Sequence, residues 1–282
     1  MSGAKSKAGR MIQLVSVFGL LVVLAVIFVT PLLWLASTAL KSDKQLGAWP
    51  PVWIPSPLRW VNFVTAWSSG RFGLYTRNTL VITCLATFGQ LLTSSMAAFG
   101  FSRLRAPGRD ALFSILIATM MLPYVVTLIP TYVLMKELGW LNSFKPLIVP
   151  AYFGGSAFFI FMLRQFFKTI PVELLESAWI DGASNVRVYW QLMLPLCKPA
   201  LSTVAIFSFM GNWNDFLGPL IYLNSPDKFT LSLGLRMFST LQGTRVQELM
   251  AMSLLMTLPI IVVFFFFQQY FIQGVVMTGI KA

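Results

Sequence analysis

The sequence is poor in charge: Asp, Glu, Lys and Arg make up 11 % of its 282 residues, whereas hydrophobic residues make up 57 %. A water-soluble domain of this length needs far more polar surface than that. Histidine is absent, which removes the commonest proton carrier and metal ligand near neutral pH. The two cysteines, Cys84 and Cys197, lie in or beside apolar runs and suggest no disulfide framework. A soluble domain and a disulfide-stabilised scaffold are therefore excluded.

Long stretches without any charged residue occupy most of the chain. Five are uninterrupted and a sixth contains only Asp215: 11–40, 78–102, 111–135, 146–163, 249–280 and 199–225. Because roughly 20 apolar residues span the hydrocarbon core of a bilayer, each stretch is long enough to cross. The sequence therefore predicts an all-α polytopic membrane protein with six transmembrane helices.

The six predicted helices, called spans 1 to 6, cover about residues 11–39, 76–101, 111–135, 146–167, 198–223 and 249–272. Residues 1–75 are predicted to hold span 1 and an external segment rich in Pro and Trp, and residues 76–282 to form the core transmembrane domain. Four closely spaced prolines exclude regular helix in part of the external segment, and its tryptophans suit the membrane interface. The sequence has no internal repeat, which disfavours a two-halved transporter within one chain.

The net charge of +12 does not indicate nucleic-acid binding, because the basic residues are dispersed among the segments that connect the spans. Such dispersion suits a membrane protein that meets anionic lipid and partners. Three basic residues precede span 1 and three crowd the turn after span 2, at positions 5, 7, 10, 103, 105 and 109. Dense basic loops favour the cytoplasmic side, so both termini, which share a side when the number of spans is even, are predicted to be cytoplasmic.

Span 3 contains two prolines, Pro123 and Pro130. Each removes an internal hydrogen bond, so we expect helix kinks at these positions unless neighbouring helices compensate. Two interpretations stay open: a bend that lines a cavity, or the ordinary use of proline in membrane helices.

Three of the nine acidic residues, Glu173, Glu176 and Asp181, fall within a short polar segment between spans 4 and 5. Pro171 suits a first helical turn, and Glu173 behind it complements the helix dipole. The sequence therefore predicts a short amphipathic helix here.

Asp181-Gly182 is a turn or helix-end signal. A second short helix is predicted to resume after Ser184 and to end before Pro195. Two short helices with a glycine joint, held between two spans, form an element that passes a push from outside to both spans.

The same segment, 169–197, resembles the EAA signature of binding-protein-dependent ABC importer permeases. The pattern is Glu176-Ser177-Ala178, three residues, Gly182, nine residues, then Leu192-Met193-Leu194-Pro195. Ser177 replaces the usual Ala and Leu192 the frequent Ile of the family. The stretches "SSMAAFGFSRLRAPGR", "MMLPYVVTLIPTYVLMKELGWLNS", "FMLRQFFKTIPVELLESAWIDGA" and "NWNDF" resemble the carbohydrate-uptake branch, of the maltose-permease G type. The resemblance covers about residue 75 to the end.

This resemblance implies a type I ABC importer permease fold with a cytoplasmic coupling helix between spans 4 and 5. In that family the EAA loop docks on a cytosolic ATPase. The resemblance thus implies that the ATPase-coupling residues are Glu176, Ser177, Ala178, Asp181, Gly182, Ala183, Leu192 and Pro195. The implied partners are a second, different but homologous permease chain, two cytosolic ATPase subunits and an extracytoplasmic solute-binding protein.

The chain has no GxxxxGK[ST] phosphate loop, so ATP hydrolysis must belong to a partner. We expect this chain to be a non-catalytic subunit that binds no cofactor or metal, with ATP and Mg held by the partner ATPase. The expected location is a bacterial or archaeal cytoplasmic (inner) membrane.

Asp215 is the one acidic residue inside a predicted span. A charged Asp at mid-bilayer costs roughly 2.5–3.5 kcal/mol on insertion scales, so it should face the bundle interior or water. Asn212, Trp213 and Asn214 precede it, and aromatic faces with amide and carboxylate groups suit a polyhydroxylated sugar. These four residues are therefore the predicted substrate path. The alternative, that they bond neighbouring helices or cap the bend before Pro219, stays open.

The leading hypothesis is the membrane subunit of an ATP-driven importer for a sugar or oligosaccharide. A polyol or glycerol-phosphate-type cargo is the alternative within this class. An ion-coupled secondary carrier is disfavoured by the single intramembrane acid, the absence of histidine and the absence of a repeat. A non-transporting scaffold of a membrane enzyme ranks last, because the clustered groups of an active site are missing.

Overall fold

The computed structural model describes residues 7–240 and 243–279. They belong to two compact units. The first unit comprises the chain up to Gly70 together with Leu235–Leu258. The second comprises Arg71–Gly234 together with the chain from Pro259 onward.

The first unit begins with the long helix α1, Lys7–Ala39, followed by the short helices α2, Asp43–Leu46, and α3, Val61–Ser68. No helix forms between α2 and α3, which confirms the effect expected of the prolines there. Towards its other end the unit contains a 3₁₀ turn, Leu235–Phe238, and a two-stranded antiparallel hairpin. The strands are β1, Ser239–Thr240, and β2, Gly243–Thr244.

The second unit is helical. Its α-helices are α4 Phe72–Arg103, α5 Arg109–Thr119, α6 Tyr124–Glu137, α7 Lys145–Ile148, α8 Ala157–Lys168, α9 Glu173–Ile180, α10 Asn185–Val188, α11 Leu194–Leu196, α12 Lys198–Trp213, α13 Leu217–Tyr222 and α14 Leu231–Gly234. Helix α4 packs against α8 and α12. The long helix α15, Val246–Gly279, continues from the first unit into the second.

Four stretches are long and apolar enough to cross a membrane: Gln13–Ala39, Phe72–Arg103, Lys145–Lys168 and Val246–Gln268. Two further stretches pass the same test as bent pairs, α5 with α6 at 99° and Asn185–Leu196 with α12 at 81°. Counting each bent pair as one span gives six in all, which is the number that the hydropathy of the sequence predicts. The second pair covers 185–213, however, so it begins in the polar segment 169–197 and does not coincide with the predicted span 5.

Span 3 is broken rather than kinked. Helix α5 ends at Thr119, and α6 begins after Pro123, whose backbone is extended at φ −61° and ψ 136°. Proline disfavours the helical conformation of the residue before it, so the first helix stops short of Pro123. Pro130 lies inside α6 without ending it. Of the two prolines at which a kink was expected, Pro123 therefore lies at a break between two helices, and Pro130 lies within a continuous helix.

Spans 4 and 5 are also interrupted. A continuous helix was predicted for span 4, whereas a bend before Pro219 was one of the alternatives for span 5. In span 4, α7 is followed by a 3₁₀ turn, Val149–Tyr152, and by Gly154 and Gly155 with φ of 112° and 60°. A Cβ on Gly155 would lie 2.3 Å from Oγ of Ser94 on α4. Glycine is therefore required both for the left-handed backbone and for the close approach.

Two loops of the second unit are joined through Asn142, whose φ of 53° is left-handed. Its N–H donates to the Tyr222 carbonyl at 2.7 Å, and its Oδ1 accepts from the N–H groups of Asn224 and Ser225 at 3.2 and 3.1 Å. Its Nδ2 donates to Ser225 Oγ at 2.8 Å, and its carbonyl accepts from Lys228 Nζ. Asn tolerates this backbone because its short side chain bonds locally.

Candidate functional site

The polar segment between α8 and α12 rests on a buried apolar base. Leu175 of α9 is fully buried, and so are Val188, Tyr189 and Met193 further along the segment. They join one hydrophobic cluster with residues of α4, α8 and α12, among them Phe99, Leu163, Phe167, Ala200 and Val204. Burial of this kind stabilises by roughly 1.5–3 kcal/mol per large side chain. The segment is therefore packed onto three membrane-spanning helices.

The opposite face of α9 carries the acidic residues. Glu173, Glu176 and Asp181 are all exposed. Among the residues that the structure describes, none of the three forms an ion pair or a side-chain hydrogen bond. Ser177 is exposed beside them, and Ala178 is half-buried. Helix α9 and Asp181, the residue directly after it, thus present three carboxylates that nothing within the described chain engages.

A glycine joint ends α9, as predicted. The N–H of Ala183 bonds the Ala178 carbonyl at 2.9 Å, and the N–H of Gly182 bonds the Trp179 carbonyl at 3.0 Å. This pair of bonds is the Schellman motif, which needs a left-handed residue; Gly182 supplies it with a φ of 81°. Ser184 then caps α10 by accepting from the N–H of Arg187 at 3.3 Å. The prediction of two short helices about a glycine is confirmed.

The second helix does not end before Pro195. After α10 the chain forms a π-helical turn, Tyr189–Met193, and continues through α11 to Leu196. Pro195 sits in the first turn of α11, where a proline is tolerated because the missing N–H has no required partner. Leu192 is half-buried and Pro195 is exposed. The predicted end was wrong because the chain stays helical through this proline as far as Leu196.

Two polar contacts that the sequence did not reveal tie the segment to α4. The hydroxyl of Tyr189 lies 2.7 Å from Ser95 Oγ in a buried hydrogen bond. Arg103, at the end of α4, donates through Nη2 to the carbonyls of Phe167 and Ile170, where α8 ends and the polar segment begins. The only feature of the sequence that pointed to either contact was the arginine-rich end of span 2. The bond between Ser95 and Tyr189 could not be anticipated, because the two residues lie far apart in the chain.

A cleft separates α9 from the turn after α4. Arg103, Arg105 and Arg109 line one side, and Glu176 and Trp179 line the other. Arg109 is already bound, through Nη1 to the Leu104 carbonyl at 3.0 Å and through Nε to Asp110 at 3.0 Å. The cleft thus offers both signs of charge next to the acidic face of α9.

The predicted path residues surround a break between α12 and α13. Asn212 is half-buried, and its Nδ2 donates to the Ser208 carbonyl at 2.8 Å and to Thr87 Oγ1 on α4 at 3.4 Å. Trp213 is 1 % exposed and stacks on Phe209 with centroids 5.5 Å apart. Asn212 therefore contacts α4 as well as its own helix, whereas Trp213 is buried beside a ring of its own helix.

Asn214 and Asp215 lie closer to the surface of the break. Asn214 is exposed, and its Nδ2 donates to the Met210 carbonyl at 2.9 Å. Asp215 is half-buried and accepts from the N–H of Gly218 at 3.1 Å, in the first turn of α13. A Cβ on Gly218 would lie 2.4 Å from Oδ2 of Asp215. Of the four predicted path residues, Asn214 is exposed, Asn212 and Asp215 are half-buried, and Trp213 is buried.

No set of three or more His, Cys, Asp or Glu side chains within 7–240 and 243–279 is arranged to hold a metal ion. The polar groups described above are the exposed carboxylates on and just after α9 and the amide and carboxylate groups at the break in span 5.

Comparison with known proteins gives a family model described as binding-protein-dependent transport system inner membrane component, which matches residues 90–277. The permease protein AraQ of an arabinooligosaccharide transport system in Halalkalibacterium halodurans is 33 % identical over 261 residues, covering 92 % of this chain and 93 % of that protein. The permease protein NgcG of a diacetylchitobiose uptake system in Streptomyces coelicolor is 30 % identical, with coverages of 92 % and 86 %. UgpE, an sn-glycerol-3-phosphate permease protein of Yersinia pestis, is 32 % identical, with coverages of 91 % and 94 %.

Among solved structures, a chain of a bacterial ABC transporter involved in the import of the acidic polysaccharide alginate superposes with a TM-score of 0.80. The identity is 22 %, and the match covers 96 % of this chain and all of that chain. A chain of the MetNI methionine ABC transporter superposes with a TM-score of 0.52 at 15 % identity, covering 77 % of this chain and 97 % of that one. The predicted ABC importer permease fold is confirmed, and the chain belongs to the family of binding-protein-dependent transport system inner membrane components.

Proposed function

We propose that this chain is the membrane-spanning permease subunit of an ATP-driven importer for a sugar or oligosaccharide. The main support for the proposal is that the polar segment has an exposed acidic face and an opposite face that is buried against the spans. Its outer face holds Glu173, Glu176 and Asp181 without partners in the described chain, and its inner face is buried against α4, α8 and α12. Because the segment is packed against α4, α8 and α12, a protein that binds the outer face and shifts it also moves these three helices.

The partner that grips this face is a cytosolic ATPase. Residues Glu176, Ser177, Ala178, Asp181, Gly182 and Ala183 form the contact, while Leu192 and Pro195 position the second helix. The ATPase binds ATP and Mg and performs the hydrolysis, since this chain has no phosphate loop. Both termini are then cytoplasmic, and the membrane is the bacterial or archaeal inner membrane.

The cargo enters from a solute-binding protein on the outside and passes between this chain and a second, homologous permease chain. On this chain, Asn214 and Asp215 line the path at the break in span 5, and Asn212 and Trp213 hold the break in shape. Amide and carboxylate groups bond sugar hydroxyls in this arrangement.

A sugar is favoured over an anionic cargo because Asp215 is the only charged residue in the six apolar stretches. An anion passing Asp215 meets a like charge and, within those stretches, no cation of this chain. The second candidate is glycerol phosphate or a related polyol ester, which the similarity to UgpE supports.

The coupling role is tested with the double variant Glu176→Lys/Asp181→Lys in the assembled complex. Reversing charges at an interface that needs carboxylates costs about 2–5 kcal/mol, or roughly 30-fold or more in affinity. We expect the ATPase to stop copurifying and ATP-driven uptake in proteoliposomes to be lost. The matched control is Glu137→Lys, an exposed acid at the end of α6. Normal assembly and uptake in the double variant would refute the coupling role.

The cargo is tested by comparing uptake of labelled arabino-oligosaccharide, diacetylchitobiose and sn-glycerol-3-phosphate by proteoliposomes that hold the complex and its binding protein. Uptake of a neutral saccharide that stops on ATP depletion supports the proposal. Uptake that survives ATP depletion but collapses with the ion gradient would instead indicate an ion-coupled carrier.

A further inference from the structure

The segment that follows α1 is unusually rich in tryptophan. Five of the nine tryptophans of the chain lie at positions 34, 49, 53, 60 and 67. The first is in α1, and the others belong to the stretch 49–67, which includes α3 and is called the tryptophan collar below. The whole collar lies in the first unit, so its geometry relative to α1 is defined within one compact body.

Hydrogen bonds fasten the collar to the end of α1. Nδ2 of Asn62 donates to the carbonyls of Ala39 and Lys41 at 2.8 and 2.9 Å, and the N–H of Arg59 donates to the Leu40 carbonyl at 3.0 Å. The last carbonyls of a helix have no partner within the helix. The collar therefore supplies the bonds that the end of α1 requires.

A second set of contacts lies deeper along α1. Oγ of Ser37 donates to the Trp53 carbonyl at 2.5 Å, and the rings of Trp34 and Trp53 meet edge to face with centroids 4.9 Å apart. One helical turn rises about 5.4 Å, so Trp53 contacts α1 about one turn inside its end. Residues near Trp53 thus fold back alongside the last turns of a membrane-spanning helix.

The collar turns its apolar side chains outward at this depth. Trp49 is 89 % exposed, Ile54 85 % and Trp60 64 %. No charged residue occurs from Trp49 to Leu58. The apolar side chains of α1 from Leu14 to Leu33 are likewise left uncovered by the described chain. The exposed surface of the collar therefore continues the apolar surface of α1, and such a patch does not remain in water.

We infer that the tryptophan collar is a lipid anchor that inserts Trp49, Ile54 and Trp60 into the headgroup and acyl-chain boundary of the bilayer where span 1 ends. Tryptophan prefers this zone because its ring is apolar and its N–H is polar. Arg59 is the only charged residue of the collar, so the collar offers a soluble partner little charge for electrostatic steering. The bonds through Asn62 and Ser37 hold the collar at a constant depth, so the anchor fixes the height of α1 in the bilayer.

The anchor is tested by spin labelling of the full chain in lipid nanodiscs. Cys84 is exposed and is replaced by Ser, whereas Cys197 is buried and is retained. A nitroxide is attached at Ile54→Cys and, as the matched control, at Lys44→Cys, an exposed position of α2 in the same unit. Both native side chains are exposed, so neither label disturbs packing. Collision with oxygen, which concentrates in lipid, is compared with collision with a water-soluble nickel chelate.

We expect the label at position 54 to collide more often with oxygen than with the chelate, and the label at position 44 to show the reverse. Equal water access at both positions would overturn the proposal. So would a label at 54 that neither reagent reaches, since a protein would then cover the collar. Quenching by lipids brominated near the headgroup provides a second measure. The quenched part of the fluorescence should fall in the variant Trp49→Phe, and unchanged quenching would count against the anchor.

Discussion

On and just after α9, the carboxylates of Glu173, Glu176 and Asp181 are exposed and have no partner in the described chain. At the break in span 5, by contrast, the side chains of Asn212, Asn214 and Asp215 all form hydrogen bonds within the chain. Both regions put scarce polar groups into an apolar chain. Asn212 and Asn214 bond the backbone of their own helix, and Asp215 accepts from the first turn of α13.

The difference separates two uses of polar residues in a membrane protein. Side chains with internal bonds maintain a break that the bilayer would otherwise penalise, because unpaired backbone groups are costly in lipid. Side chains left free on a firmly packed helix are available to another protein. Substitutions at internally bonded or buried residues should therefore lower stability, whereas substitutions on the acidic face should lower binding of the partner. Changes at four positions test this contrast.

The largest expected effect on stability comes from the base of α9. Leu175→Ala removes a fully buried side chain from the hydrophobic cluster, so we expect the free energy of unfolding to fall by about 2–5 kcal/mol. Leu174→Ala is the control, because Leu174 is exposed on the same helix; its effect should stay within about 0.5 kcal/mol. Denaturation in detergent micelles measures both. Equal effects would mean that α9 is not packed onto the spans.

Next is the break in span 5. Asp215→Ala removes the acceptor for the N–H of Gly218, and loss of such a cap costs about 0.5–2 kcal/mol. Asp215→Asn keeps an acceptor oxygen but removes the charge, so its unfolding should match the parent chain. If Asp215 also contacts cargo, Asp215→Asn slows saccharide uptake in proteoliposomes despite normal stability. Unchanged uptake would confine Asp215 to a structural role.

The buried hydrogen bond between Tyr189 and Ser95 should contribute less. Tyr189→Phe removes the hydroxyl that lies 2.7 Å from Ser95 Oγ, and the expected loss is about 0.5–1.5 kcal/mol. A double-mutant cycle with Ser95→Ala isolates the pair. Tyr132→Phe serves as control, since no hydrogen bond of the Tyr132 hydroxyl occurs among the described residues. A coupling energy of zero would show that this contact does not join the polar segment to α4.

The smallest change in stability is expected at the acidic face. Glu176→Gln should alter the free energy of unfolding by less than about 0.5 kcal/mol, because the carboxylate is exposed and unpaired in the described chain. Copurification of the ATPase should nevertheless weaken. A clear loss of stability together with normal ATPase binding would contradict this prediction, because Glu176 would then have a structural role and not a role in binding the partner.

Local signals made much of this architecture predictable. Charge-free length identified the six apolar spans, and Asp181-Gly182 identified the joint after α9, because a Schellman turn depends on residues adjacent in the chain. The spacing of Glu176, Gly182 and Pro195 identified the family before any contact was known.

The break in span 4 was not predicted, because hydropathy measures composition and not continuity. The break in span 5 was predicted only as one alternative, a bend before Pro219. The break at Gly154 and Gly155 depends on Ser94 of α4, far away in the sequence. The burial of Trp213 was equally hidden, since an aromatic residue beside amides suits a binding site and a helix interface alike. Contacts between distant residues separate these cases, and a single sequence does not encode them in any local pattern.

The Asn142 junction has a practical consequence for where reporter tags are inserted. An epitope placed between Asn142 and Lys145, or between Asn224 and Lys228, would separate groups that share five hydrogen bonds. The exposed turn around Gly108 should tolerate a fluorescent or affinity label better, because no other atom lies within 4 Å of where a Cβ on Gly108 would be. A tag there would also report which face of the membrane that turn occupies.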